Sequence, residues 1–366
     1  MATIFDVARL AGVSIKTVSR VVNREASIRP ATMAKVHHAI ELLGYEPHRG
    51  ARLMRSGKSG LIGVITGVLS GSDLPATSAG LSDLHLLRGA QRACSAAGKT
   101  LLIADMAGDP RVVESLLRTF VSHRVEGVIY TAPYHQQVML PHPKNTPLVL
   151  VNCFDMARTP AMVPDDALGQ ERVVDFLVGL GHRRIGYVGL NEDMVAGRLR
   201  KAAFVAACAR HGLDARQCPV RVGATPPSMD PFTPLAAVLQ DIVQRPLRPT
   251  ALCMGNDVMA LHAIRLLEGL GVSVPRDIAL MGYDDDAKIC EATRPRLSTV
   301  SLPYYEMGQA AVERLLDDHA GRPPPLEPWR RIAGEIVVRD SAPALEPRAA
   351  PPRLASRRRR STTTST

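Results

Sequence analysis

The sequence predicts an α/β protein that begins with a small all-helical module. Residues 3–43 contain three segments whose apolar side chains recur at the spacing of an α-helix. From Leu61 onward, short apolar strands alternate with amphipathic helices, a pattern typical of parallel sheets covered by helices on both faces. Residues 342–366 are rich in Pro, Arg, Ser and Thr and cannot form a core, so we expect a disordered tail.

The first two helices are predicted within TIFDVARLAGVSIKTVSRVVN, residues 3–23. Thr3 and Asp6 have the spacing of a capping box, Gly12 interrupts the helical pattern, and Ser14 can cap the next helix. A helix, a glycine-containing turn and a second helix form a helix-turn-helix unit. Its predicted apolar stripes are Ile4, Val7, Ala8 and Leu10 on the first helix and Val13, Val18, Val21 and Val22 on the second.

A third helix is predicted from Pro30 to Leu43. Proline suits the first position of a helix, and Gly44 suits the position that follows its last turn. The three helices together can form a bundle of about 45 residues, which is marginal in size for a domain.

The positive charge of the chain is concentrated at its two ends. The net charge is +10; residues 1–60 carry ten Lys/Arg against four Asp/Glu, and residues 343–366 carry six Arg against one Glu. The long middle segment is therefore near neutral. A basic N-terminal module is suited to contact with the phosphates of a nucleic acid.

The length and composition of the chain suggest the number of domains and exclude several classes of protein. A chain of 366 residues suggests two or three domains. Because no apolar run approaches the ~20 residues of a membrane span, and no secretory signal precedes the first helix, we expect a cytoplasmic protein without a membrane partner. The six cysteines are scattered without a C-x-x-C pair, which favours reduced thiols over disulfides or a zinc site.

The strands and helices after the basic module fall into two series, which predicts two similar α/β lobes. The first series has strands near 61–69, 100–105, 127–132 and 147–152, with helices near 84–97 and 110–123. The second has strands near 184–189, 251–255 and 278–284, a segment near 219–223, and helices near 168–179, 197–211, 233–244 and 257–269.

Several motifs along the chain make the sequence resemble the lac repressor family of bacterial transcription regulators. They are DVARLAGVS at 6–14, TVSRVVN at 17–23, LLGYEP at 42–47, AR at 51–52, IGV at 62–64, GHRRIGYVG at 181–189, GNDVMA at 255–260 and GYDDD at 282–286. The resemblance covers about residues 1–340 in the family's order and spacing. It implies an N-terminal helix-turn-helix DNA-binding domain followed by a bilobed effector domain similar to periplasmic sugar-binding proteins of type I.

The resemblance also implies the limits of the domains. The DNA-binding domain is expected at 1–46, a hinge helix or linker at 47–59, the effector-binding and dimerisation domain at 60–341, and the tail at 342–366. Since the chain of this family crosses between lobes three times, the first lobe is expected at about 60–163 and 296–327. The second is expected at about 164–295 and 328–341.

The second helix is the element that the family uses to read DNA. By resemblance, Ile15, Lys16 and Arg20 reach base edges, where Arg20 and Lys16 can donate hydrogen bonds to guanine. Ile15 can only pack, for example on a thymine methyl group, or else within the helix bundle; a phosphate contact is the alternative for Arg20. The residues suited to phosphate contacts are Thr17, Ser19, Asn23 and Thr32.

The predicted hinge, PHRGARLMRSGK at 47–58, places Arg52 and Met54 at the DNA. Met54 stands where the family has a leucine that enters the minor groove, and an apolar side chain wedged between base steps kinks the duplex. Gly50 lowers helix propensity by ~1 kcal/mol relative to Ala, so we expect a hinge that orders only on DNA. A plain flexible tether is the alternative.

An effector site is expected between the lobes. By resemblance, Arg200 in RKAAF, Asn256 in GND and Asp284 in GYDDD contact the ligand at the carboxyl ends of strands. Asp165 in VPDDALG matches a lobe crossover, with a turn or helix-cap role as its alternative. Asp83, in GLSD at 80–83, stands where many family members carry aromatic rings before the first helix, so a more polar pocket is expected.

These observations favour a dimeric, nucleoid-associated transcription repressor that binds a pseudo-palindromic double-stranded DNA operator. A guanidinium with amide and carboxylate acceptors suits a polyhydroxylated effector, such as a sugar or sugar acid. No catalytic residue, metal ligand or cofactor is predicted. A solute-binding protein for transport, an enzyme on an α/β scaffold and a regulator controlled by a protein partner remain as alternatives.

Overall fold

The computed structural model describes residues 2–22, 28–45, 59–67, 79–106, 109–224, 232–322 and 327–345, without the side chains of 79–83 and 319. The chain divides into two compact units, Met1–Pro164 with Pro303–Ile332 and Asp165–Leu302 with Ala333–Thr366. Asn23, Arg52, Met54, the predicted hinge at 47–58 and residues 346–366 of the predicted tail lie outside the described residues.

The N-terminal module contains three helices, α1 (Ile4–Ala11), α2 (Ile15–Val22) and α3 (Pro30–Leu43). The capping box at the start of α1 is confirmed: the Asp6 amide donates to the Thr3 hydroxyl, and the Thr3 amide donates to the Asp6 carboxylate at 2.9 Å. Gly12 and Gly44 end α1 and α3 in the left-handed conformation, as their positions in the sequence predict.

One position of the predicted apolar stripe is wrong. Leu10 is 51% exposed, whereas Ala11 is buried with Val7 and Ala8. Residues 4, 7, 8 and 11 follow the helical period, and Leu10 lies out of phase with them by one residue. The small core of this module is formed by Val7, Ala8, Ala11, Val18, Val21, Val36, Ala39 and Tyr45.

The first unit also contains a six-stranded parallel sheet in the order β11-β5-β4-β3-β1-β2. Its strands are β1 (Leu61–Thr66), β2 (Thr100–Asp105), β3 (Gly127–Gln137), β4 (Leu148–Phe154), β5 (Ala161–Pro164) and β11 (Trp329–Ile332). Helices α4 (Ala79–Ala96) and α11 (Tyr304–His319) pack on one face, and α5 (Val113–Ser122) packs on the other. A Cβ atom at Gly89 would lie 1.9 Å from the Tyr305 carbonyl oxygen, so glycine permits the close approach of α4 and α11.

The second unit has a four-stranded parallel sheet in the order β7-β6-β8-β9. These strands are β6 (Ile185–Gly189), β7 (Val220–Val222), β8 (Ala251–Met254) and β9 (Ala279–Met281). The helices are α6 (Asp166–Gly179), α7 (Val195–Arg210), α8 (Leu235–Val243), α9 (Asp257–Gly269) and α10 (Ala287–Cys290). Helices α6 and α7 cover one face and α8 and α9 the other, while β10 (Thr299–Val300) pairs antiparallel with β12 (Ile336–Val337).

The chain passes between the units later than the sequence indicates. Residues 296–302, expected in the first lobe, belong to the second unit, where β10 pairs with β12. Residues 328–332, expected in the second lobe, belong to the first unit, because β11 pairs in parallel with β5. Strand pairing between distant segments sets both positions.

Three further features of the described residues bear on the predictions. Helix α4 begins at Ala79 rather than near 84, so Asp83 lies inside the helix and not before it. All six cysteines are buried and free of disulfides. No described helix is long and apolar enough to cross a membrane.

Candidate functional sites

The outer face of α2 is the candidate DNA-reading surface. Val18 and Val21 are buried, while Ile15 is 41% exposed and Lys16 is also exposed. The Thr17 amide donates to the Ser14 hydroxyl at 3.1 Å, which caps the start of the helix. Since this cap sets where α2 begins, it places Ile15 and Lys16 in the first turn, the part of a recognition helix that contacts bases in other helix-turn-helix proteins.

The remaining described DNA-binding candidates are less exposed than Ile15 and Lys16. Thr17, Ser19 and Arg20 on α2 are half-buried, and so is Thr32 in the first turn of α3. The Thr17 hydroxyl lies 2.9 Å from the Ser14 hydroxyl, so it also takes part in the cap. Half-burial leaves part of each side chain exposed, where a hydroxyl group can reach a phosphate.

A second candidate site is built around Arg200 in the second unit. Arg200 projects from the buried face of α7, and its Nε donates to the Asp166 carboxylate at 2.7 Å. One terminal nitrogen donates to the Gly255 carbonyl oxygen at 2.7 Å, directly after β8. The guanidinium carbon lies 3.5 Å from the centre of the Tyr283 ring, so the side chain is also held by a cation–π contact.

Asp284 lies at the exposed edge of this group. Its carboxylate is 4.0 Å from Arg200, and its side chain is 19% exposed, against 4% for Arg200. The backbone of Asp284 has φ 128°, a conformation that costs a residue with a Cβ atom about 1–3 kcal/mol. The Asp284 amide donates to the Val300 carbonyl oxygen at 2.8 Å, which helps to hold this conformation.

The charges of the group depend on one another. Burial disfavours the charged form of Arg200, but the carboxylates of Asp166 and Asp284 outweigh it, so the pKa of Arg200 is raised and the guanidinium stays charged. Burial raises the pKa of Asp284 well above its usual range; Arg200 opposes this rise, whereas the carboxylates of Asp257 and Asp166 add to it. A hydroxyl-rich ligand could therefore meet a fixed cation beside a carboxyl group.

Two predicted effector contacts act as helix caps. The Asp165 carboxylate accepts a hydrogen bond from the Leu168 amide at 3.0 Å, and the Asn256 side chain accepts one from the Met259 amide at 2.8 Å. Both side chains are half-buried at the starts of α6 and α9. Their effector roles stay predictions, as does that of Asp83, whose side chain is not described.

Sequence reasoning missed three members of the group. Asp166, next to the predicted Asp165, is the carboxylate that contacts Arg200, and Tyr283 supplies the ring beneath it. Buried Asp257 accepts from the Thr299 hydroxyl at 2.7 Å and from the Asp286 amide at 2.8 Å. All three stand within the quoted motifs, so the motifs located them without distinguishing their roles.

The chain combines a capped helix-turn-helix module with two parallel sheets, and one of these sheets has a buried charged group at its strand ends. This combination defines the class of DNA-binding regulators with a ligand-binding domain. The family comparisons agree. Residues 3–48 match the model for bacterial regulatory proteins of the lacI family, and residues 174–342 match a periplasmic binding protein-like domain. The chain belongs to the lacI family and is a DNA-binding transcription regulator.

Individual relatives support this assignment over nearly the whole chain. The ribose operon repressor of Escherichia coli strain K12 is 31% identical over 348 residues, covering 93% of this chain and 100% of the relative. The lac repressor dimer bound to operator and the anti-inducer ONPF is 25% identical with a TM-score of 0.68, over 94% of this chain and 99% of that one. The complex of the regulator CelR with cellobiose is 26% identical with a TM-score of 0.58, over 93% and 100%.

Proposed function

We propose that the protein is a homodimeric repressor whose affinity for a pseudo-palindromic operator changes when a sugar, sugar acid or related metabolite binds to the second unit. The observation that carries the effector part is the buried Arg200 guanidinium, held by Asp166 and Tyr283 with the partly exposed Asp284 beside it. The proposed divisions are a DNA-binding module at 1–46, a hinge at 47–59 and an effector domain from residue 60. The proposed place of action is the chromosome.

The proposed DNA contacts of α2 are made by side chains that are exposed or half-buried. Lys16 and Arg20 donate to base edges in the major groove, and Ile15 packs against a thymine methyl group. Thr17, Ser19, Asn23 and Thr32 contact phosphates and set the register. Arg52 and Met54 belong to the predicted hinge: Met54 is proposed to enter the minor groove, and Arg52 is proposed to contact the DNA.

The proposed effector is a polyhydroxylated molecule. A ribose operon repressor and a regulator bound to cellobiose are among the similar proteins, which supports a sugar. Arg200 can donate to ligand hydroxyls, while Asp284 and Asn256 can accept from them; Asp165 is proposed to complete the site. The ligand alters DNA binding only if it binds the DNA-competent and incompetent states with different affinity.

The DNA part is tested by incubating the purified chain with fragmented genomic DNA from its source and sequencing the retained fragments. We expect enrichment of a short pseudo-palindrome. Substituting Lys16→Gln should relax the preference at one base pair in each half-site, whereas Thr32→Ala should weaken binding about equally for all sequences. Retention without any enriched sequence would contradict specific operator recognition.

The effector part is tested by calorimetric titration with a panel of sugars and sugar acids, with and without the enriched operator. We expect one compound to bind, and Asp284→Asn to weaken it by about tenfold or more, since a carboxyl oxygen that can accept from a ligand hydroxyl is replaced by an amide donor. Asp241→Asn is the matched control, because Asp241 pairs with Arg221 on the surface of the same unit. Equal affinity for the compound with and without operator would exclude it as the regulator of DNA binding.

A further inference from the structure

The first unit contains a cavity of about 500 Å³ that the proposed function does not use. It is lined by helix α11 and by residues of β5 and β11, the two strands at one edge of the sheet. Binding pockets for small molecules typically enclose about 300–1,000 Å³, so this cavity has the size of a metabolite site.

One face of α11 forms a wall of the cavity. Ala310, Glu313, Arg314 and Asp317 recur at the spacing that brings side chains to the same side of a helix. The strands contribute Met162 and Arg330, which are partners in the parallel register of β5 and β11. The cavity is therefore shaped by regular elements.

Arg314 has hydrogen-bonding capacity that the described residues leave unused. Its side chain is only 10% exposed, and one terminal nitrogen bonds to Asp318 on the next turn of the helix. Its Nε is buried and has no hydrogen-bond partner among the described residues. A buried donor without an acceptor is unfavourable, so a nearby anion would stabilise this guanidinium.

The arginines of the lining differ in how closely a carboxylate holds them. Three arginines, Arg314, Arg322 and Arg330, face the cavity with two carboxylates, Glu313 and Asp317. Asp317 is already bonded to Arg322 at 2.6 Å. Arg330 lies 3.9 Å from Glu313, beyond hydrogen-bond distance, so its planar set of donors remains available to a ligand.

We propose that this cavity binds a small metabolite that carries an oxyanion, either a phosphate ester or a carboxylate. The oxyanion lies against Arg330 and Arg314, because a guanidinium matches the geometry of both groups. The uncharged part of the ligand packs on the apolar lining, which comprises Met162, Ala310, Pro160 and Pro328. The site is a second ligand site, separate from the Arg200 group of the other unit.

The test uses the full chain with ¹³C-labelled methionine methyl groups, because Met162 lines the cavity and reports binding there rather than at the basic N-terminal module. The Met162 signal is assigned by its loss in Met162→Leu. Inorganic phosphate, glycerol 3-phosphate and succinate are titrated at constant ionic strength. We expect a saturable shift of the Met162 signal; a response to the phosphates alone identifies a phosphate site, and a response to succinate alone a carboxylate site.

Two neighbouring arginines provide a variant and its control. Arg330→Gln should weaken the binding by about tenfold, since a charge-assisted hydrogen bond is removed. Arg331→Gln should leave it within about twofold, because successive side chains of a strand point to opposite faces and Arg331 does not line the cavity. No saturable shift with any of the three probes, or equal binding by the two variants, overturns the proposal.

Discussion

Gly169, in the first turns of α6, determines whether Tyr283 can lie beneath Arg200. A Cβ atom at this position would lie 2.1 Å from the Tyr283 hydroxyl oxygen, far inside van der Waals contact. In Gly169→Ala the hydroxyl end of the ring must therefore move away, although the Arg200 guanidinium lies 3.5 Å from the ring centre and holds it in place. The perturbation thus acts on the charged group through a single methyl group.

The expected magnitude follows from three contributions. Overpacking a buried site costs about 1–3 kcal/mol. Loosening a desolvated cation–π contact adds about 1–2 kcal/mol, and the better helix propensity of alanine returns up to about 1 kcal/mol. We therefore expect Gly169→Ala to lower the free energy of unfolding of the second unit by about 2 kcal/mol, equivalent to about a 30-fold rise in its unfolded population.

The assay is hydrogen–deuterium exchange read by mass spectrometry, because it separates the two units. The slowest amides of β6 and β8 should exchange about 30-fold faster in Gly169→Ala, while those of β1 and β3 stay unchanged. Gly179→Ala is the matched control: it lies in the same helix, where a Cβ atom would meet nothing within 4 Å. If both variants exchange alike, the steric reasoning is refuted.

Two further predictions concern the second unit. Asp166→Asn removes one partner of a buried ion pair and should destabilise the unit by about 3–5 kcal/mol. The control Asp175→Asn removes one partner of a pair whose Asp175 side chain is 48% exposed, and it should cost less than about 1 kcal/mol. Comparable losses of amide protection against hydrogen exchange in the two variants would contradict this. Burial lowers the pKa of His182, and the hydrogen bond to the Pro343 carbonyl group opposes this decrease only in part. As the pH falls, the His182 imidazole is therefore protonated in the unfolded chain before it is protonated in the folded chain. The stability that neutral His182 provides is therefore present above about pH 6.5 and lost below it. His182→Gln should flatten the fall in the free energy of unfolding between pH 7.5 and 5.5. An unchanged slope would show that other groups cause this pH dependence.

The features that follow from neighbouring residues could be predicted from the sequence. Thr3 and Asp6 lie three residues apart, and their reciprocal hydrogen bonds form wherever α1 forms. Gly12 and Gly44 end their helices for the same local reason. Hydrophobicity alone favours burial of Leu10, but the helical period places the smaller Ala11 in the core instead.

The candidate effector site could be predicted only in part. The motifs located Arg200, Asn256 and Asp284, which lie in and around the strand ends of one unit. They did not distinguish Asp165 from Asp166, since both suit the first turn of a helix. Only the position of Arg200, which is 34 residues further along the chain, decides which carboxylate is buried.

The sequence by itself determined the helix caps, the alternation of strands and helices and the family to which the chain belongs, because these depend on residues that lie close together or on quoted motifs. The tertiary structure decided that Asp166 and Tyr283 hold Arg200. It also decided that β11 joins the first sheet through its register with β5. Such contacts join segments far apart in the chain, and the free energy of burying them together is a property of the folded chain, which no local pattern encodes.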